Sequence, residues 1–172
     1  MLIVEKPHNL LSVPGRGEEK RDSLLTRVRR SYPSALVIHR LDMETSGLVL
    51  FALNHTTQKA LNLQFEKRQV EKHYLAVVRG KLPGKEGVIE MALRPDLARR
   101  PLQVVDEKHG KSAKTKWSVL GSLNGEDESL VLLKPESGRT HQLRVHMLSL
   151  GTPIIGTCSA SVYSPSKFIT DC

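Results

Sequence analysis

The chain has 172 residues, 39% hydrophobic and 26% charged, which fits one soluble domain large enough to bury a core. Its 26 Lys and Arg outnumber its 18 Asp and Glu, and the net charge of +8 suits a polyanionic partner. No apolar run is long enough to span a bilayer, MLIVEKPHN is too short in apolar residues for a signal peptide, and 4% aromatics excludes a platform stacking many bases in a row.

Residues 2–4 read as a short strand ended by Pro7, and SVPGRGEEKRD as a loop rich in turn residues. Asp22 is placed to cap a helix through Arg30, with Leu24, Leu25 and Val28 on one face. Residues 35–38 (ALVI) and 48–53 (LVLFAL) are short, apolar and bounded by polar residues, as buried strands are. A helix is predicted from Thr56 or Thr57 to about Lys67, with Ala60, Leu61 and Phe65 inward. HYLAVVRG reads as a strand, LPGKEG as a turn and VIEMAL as another strand. RPDLARRPLQVVDEKHGKSAK reads as a basic, loop-rich excursion. TKWSVL and SLVLLKP follow as strands linked by GSLNGEDE. Residues 140–150 read as a helix with Leu143, Met147 and Leu150 on one face and Gly151 as its stop. Short strands with a few helices predict an α+β domain, a mainly antiparallel mixed sheet with flanking helices.

The two cysteines, Cys158 and Cys172, both lie in the last fifteen residues. That is neither a disulfide framework nor a zinc site, and a reducing, cytoplasmic setting is expected.

Three stretches carry candidate chemistry. HRLDMETSG, residues 39–47, sets Asp42 beside Arg40 just past an apolar strand. A carboxylate kept ionised by a cation there can serve as nucleophile or general base, or the pair can be a plain surface salt bridge. SGRTHQLRVH, residues 137–146, puts a glycine before a helix start, with Arg139 and Arg144 adding charge to a candidate anion site. His141 and His146 are five apart, not the spacing of a helical zinc pair, and a structural role is expected for each. KHYLAVVRG, residues 72–80, puts Tyr74 on one strand face with Ala76 and Val78, as core or as a ring stacking on a flipped base. Gly110-Lys111-Ser112 ends like a phosphate loop, but Val105 stands where its first glycine belongs.

In this order and at these separations, HRLDMETSG, KHYLAVVRG and SGRTHQLRVH resemble the three signature segments of the RluA-type pseudouridine synthases. LIVEKPHNLLSVPG resembles the family's opening strand and loop, and SVPGRGEEKRDS its RluA subgroup. The likeness runs from about Leu2 to Gly156. It implies the pseudouridine synthase catalytic fold and the isomerisation of uridine in RNA. The N1–C1′ bond breaks, the uracil turns, and C5 bonds to C1′. The family's catalytic aspartate falls on Asp42, which attacks C1′ or removes a sugar proton to give a glycal. The basic partner falls on Arg139, which would lower the aspartate's pKa. Tyr74 matches the tyrosine placed against the uracil. Arg40 matches the residue that helps extrude the target nucleotide. His39, Thr45, Leu143 and Arg144 fall among the substrate- and RNA-binding positions. Such an isomerisation needs no metal, nicotinamide or ATP, so no cofactor is expected. The implied partner is large-subunit ribosomal RNA, tRNA or both, bound by a monomer away from membranes. The basic excursion is the candidate RNA-contacting region, with a solvated loop as the alternative.

After Pro153-Ile154-Ile155-Gly156 the family continues with Asp, an aromatic-rich segment and a core strand; here the chain reads TCSASVYSPSKFITDC. Residues 1–156 are therefore expected to form the catalytic domain without its usual C-terminal strand. Residues 157–172 are an atypical tail of the kind a frameshift or truncation leaves. A missing core strand would expose an edge and weaken the fold. The alternative function is a catalytically impaired or non-catalytic RNA-binding protein on the same scaffold.

Overall fold

A computed structural model of the chain describes residues 1–99, 102–123 and 127–156, and the backbone of residues 161–164 and 167–170. Both cysteines and the middle of GSLNGEDE lie outside the described residues. The chain divides into two compact units, Met1–Val70 and Glu71–Cys172.

In the first unit, β1 (Leu2–Lys6) pairs antiparallel with β3 (Gly47–Ala52), and β2 (Leu36–Val37) pairs antiparallel with the other side of β3. Strand alternation sends Leu2, Val4 and Lys6 inward while Ile3 and Glu5 stay exposed. Helix α1 (Leu24–Ser31) buries Leu24 and Leu25 in a core with Leu10, Ala35, Val49 and Phe51. Its cap is Ser23, not Asp22: the Ser23 Oγ accepts the Thr26 N–H at 3.2 Å, while Asp22 receives the Arg27 guanidinium. Helix α2 (His55–Glu66) is capped by Asn54, whose Oδ1 accepts the Thr57 N–H at 2.8 Å. None of its residues is fully buried, and Ala60, expected inward, is exposed because the helix lies on the surface with Leu61 and Phe65 only half-buried.

In the second unit, the described residues form a sheet of seven strands. They are β4 (Tyr74–Arg79), β5 (Glu86–Pro95), β6 (Gln103–Val105), β7 (Lys111–Leu123), β8 (Glu128–Pro135), β9 (Ser161–Ser164) and β10 (Lys167–Thr170). Their order is β10-β9-β6-β5-β7-β8-β4, antiparallel throughout except that β9 runs parallel to β6. The mainly antiparallel α+β architecture expected from the sequence is thus the one observed. The excursion at 94–114 is less irregular than expected. Its ends extend β5 and β7 and its middle forms β6, because Leu93 and Ala113 have a core to enter with Val145 and Leu148 of α3 (Gln142–Ser149), and Val105 packs against it. Val78, Ile89, Trp117, Val131, Leu133 and Met147 form a second core cluster, with Tyr74 and Leu143 packed against it. Just after α3, the chain lies along the outer edge of β4: the Ile155 N–H donates to Val77 O at 2.8 Å and the Arg79 N–H to Pro153 O at 3.0 Å. No helix among the described residues is long and apolar enough to cross a membrane.

Candidate active site

Asp42 lies in the loop between β2 and β3, half-buried, with exposed Arg40 before it and half-buried Thr45 after it. The loop backbone is pinned on both sides of the carboxylate. The buried Ser12 hydroxyl donates to Leu41 O at 2.7 Å and accepts the Leu41 N–H at 3.0 Å. On the other side, the Lys6 ammonium donates to Met43 O at 2.9 Å, to Leu10 O at 2.7 Å and to Pro7 O at 2.9 Å. Those three carbonyls take the three donors a lysine has. His8 Nδ1 donates to Glu44 O at 2.7 Å, and the Thr45 N–H to Asp42 O at 3.1 Å. The loop leaves through Gly47 at φ 127°, a backbone that a side chain would strain.

Lys6 is fully buried, and its pKa is pushed below the ordinary lysine value by desolvation, against the opposing pull of Glu44 and Asp42. The negative loop therefore sits over an internal cation. His39 opens the loop as an anchor: its Nε2 accepts the Leu50 N–H at 3.1 Å, and its ring stacks on Phe65 with centroids 4.9 Å apart. Accepting that bond fixes the neutral tautomer with the proton on Nδ1.

Sequence reading missed Lys6, Ser12 and His8. Lys6 carried a signal: alternation through LIVEK puts it on the inward face with Leu2 and Val4, where an unpaired charge has no place. Ser12 had no comparable signal, since its partner Leu41 is 29 residues away.

The other candidate residues belong to the second unit. Tyr74 opens β4 opposite Leu133 and is half-buried against the core. Arg139 precedes α3, half-buried, and its guanidinium Nε donates to Ser112 O at 3.2 Å. Leu143 packs on the core, and Arg144 is buried at 4% exposure. His141 adopts a left-handed backbone, φ 53°, at the helix start. His146 is fully buried with Nδ1 2.9 Å from the Thr115 hydroxyl, and desolvation pushes its pKa down to about 4. It is a neutral core histidine at physiological pH.

In the proposed RNA-contacting excursion, several cations have acidic partners. Arg94 donates to Asp106 at 2.6 Å, Arg99 to Asp96 at 2.9 Å, and Lys116, just beyond, approaches Glu136 at 2.8 Å.

A family profile described as RNA pseudouridylate synthase matches residues 1–149. The chain is 46% identical over 156 residues to the dual-specificity RNA pseudouridine synthase RluA of Yersinia pestis, covering 91% of this chain and 75% of that protein. It is equally similar to the protein of that name from Escherichia coli strain K12, covering 71% of its length. Among solved structures, human RNA pseudouridylate synthase domain containing 1 superposes with a TM-score of 0.68 and 32% identity, over 88% of this chain and 70% of the other.

Proposed function

Since this chain belongs to the RNA pseudouridylate synthase family, we propose that it isomerises specific uridines of both ribosomal RNA and tRNA to pseudouridine, with Asp42 as the catalytic carboxylate. The observation that carries the role of Asp42 is the pinned loop: Leu41, Met43 and Glu44 are each held by a side chain from residues 6–12. A carboxylate held this way meets the sugar without first losing conformational freedom. It attacks C1′ or takes a sugar proton; either route needs the ionised form. Arg139 stands at the family's basic position and supplies a cation for the reaction. Tyr74 lies against the uracil while C5 gives up its proton and N1 is protonated. Arg40, exposed on the loop, fills the space the flipped nucleotide leaves. The dual substrate class rests on the relatives named for dual specificity. Cytoplasmic location and a monomeric state belong to the same proposal.

The test is tritium release from uridine tritiated at C5, in ribosomal RNA and in tRNA separately. Release from both is expected. Release from one alone would reject dual specificity, and release from neither would leave an RNA-binding protein that does not catalyse.

A further inference from the structure

Arg139 is held by its neighbour in sequence as much as by the sheet. The Gln142 N–H donates to Arg139 O at 3.1 Å, and the Arg139 N–H donates to Gln142 Oε1 at 3.0 Å. Both polar groups of residue 139's backbone are thus clasped by one glutamine. That glutamine is itself fixed. Its Oε1 also accepts the Ser137 hydroxyl at 2.8 Å, and its Nε2 donates to Lys114 O and to Thr115 Oγ1, each at 3.0 Å. Ser137 Oγ in turn accepts the Lys114 N–H at 3.0 Å. Ser137, Gln142 and Thr115 are all buried, at 7%, 4% and 0% exposure. All four hydrogen-bonding positions of the amide are used, so its orientation has one solution. The network links β7 to the turn carrying Arg139, and the Arg139 Nε bond to Ser112 O ties the guanidinium to the same strand.

We propose that Gln142 is a positioning residue for the isomerisation, holding Arg139 at a fixed place and angle through a buried amide network to Ser137 and Thr115. This rests on the reading of Arg139 as the family's basic residue in the reaction. A hydrophobic side chain of the same length would fill the volume and remove the side-chain half of that clasp, leaving only the backbone bond to Arg139 O. Because a displacement of about 1 Å can cost roughly a hundredfold in rate, the effect falls on turnover rather than on RNA affinity.

The experiment is a kinetic cycle of Gln142→Met, Arg139→Ala and the double variant, with tritium release and RNA binding measured for each. For Gln142→Met we expect kcat about 10- to 100-fold lower and KM within about twofold of the parent. In the double variant we expect no loss beyond that of Arg139→Ala alone, since Gln142 acts through Arg139. Losses that multiply, or an unchanged kcat in Gln142→Met, overturn the proposal. An unchanged kcat in Arg139→Ala rejects the reading beneath it and the proposal with it. If Gln142→Met melts below the assay temperature, Ser137→Ala takes its place in the same cycle. It removes one bond to the amide, and a loss of about tenfold, again absent in the Arg139→Ala background, is expected.

Discussion

Lys6 is a charge on the inward face of a strand, and its burial is tolerated because three backbone carbonyls receive its three protons. Removing the ammonium leaves those carbonyls without that donor, the buried Leu10 O fully so and the half-covered Pro7 O and Met43 O in part. We expect Lys6→Met to lower unfolding free energy by about 3 kcal/mol, read from urea melts, because each buried acceptor left unsatisfied costs roughly 1–3 kcal/mol. The loss should also show in kcat, since Met43 O is one of the points that hold the Asp42 loop. A variant as stable and as active as the parent would show that the loop holds itself. At this scale the sequence announced the candidate reacting groups and hid the supports of the Asp42 loop. Asp42, Tyr74 and Arg139 stand in signature segments legible as a string. Ser12 reaches Leu41 across 29 residues, and only the folded chain brings them together.

Helix α3 illustrates what an element adds. From the sequence it is an amphipathic helix with a face of Leu143, Met147 and Leu150. In the structure Gln142, Arg144, Val145, His146, Met147 and Leu148 are buried, polar and apolar residues alike. Hydrophobic periodicity finds the helix but not its burial all round, because Gln142 and His146 bond to Thr115 and Lys114 of β7 rather than to water. The excursion at 94–114 reads as loop for a related reason: its charged residues pair locally while Gln103, Val104 and Ala113 enter the sheet core. His146 makes the helix sensitive to acid. Its pKa falls to about 4 in the fold from the ordinary 6.5, so the unfolded chain takes up a proton that the folded chain refuses. Its contribution to stability is complete above pH 6.5 and is lost as pH falls toward 4. Linkage over that window amounts to about 2 kcal/mol by about pH 5. Asp106, held well below the usual carboxylate range by Arg94, stays ionised across it. Melts at about pH 7 and pH 5 should show the drop, and His146→Gln should remove most of it; an equal drop in that variant would assign the acid sensitivity elsewhere.

At the scale of the whole molecule, two units each have a core of their own, and among the described residues Arg21, Arg27, Arg94, Arg99, Lys114 and Lys116 have acidic partners. The net charge of +8 still predicts binding to RNA through phosphates. Each phosphate contact adds about 0.7–0.9 to the slope of log K against log salt, so with two or more contacts affinity should fall about tenfold or more between roughly 50 and 200 mM salt. An affinity that ignores salt would contradict that account. The α+β class was legible from short strands and few helices. The run of β9 parallel to β6 was not, because it falls within the stretch that departs from the family pattern. The central claim, that one carboxylate in HRLDMETSG performs an isomerisation of RNA, is tested most directly by Asp42→Asn. The substitution keeps the side chain's size while removing its charge and turning one acceptor oxygen into a donor. We predict that tritium release from C5-labelled uridine drops below detection in ribosomal RNA and tRNA while RNA binding and melting temperature stay near those of the parent; release at the parental rate from the Asp42→Asn variant would contradict it.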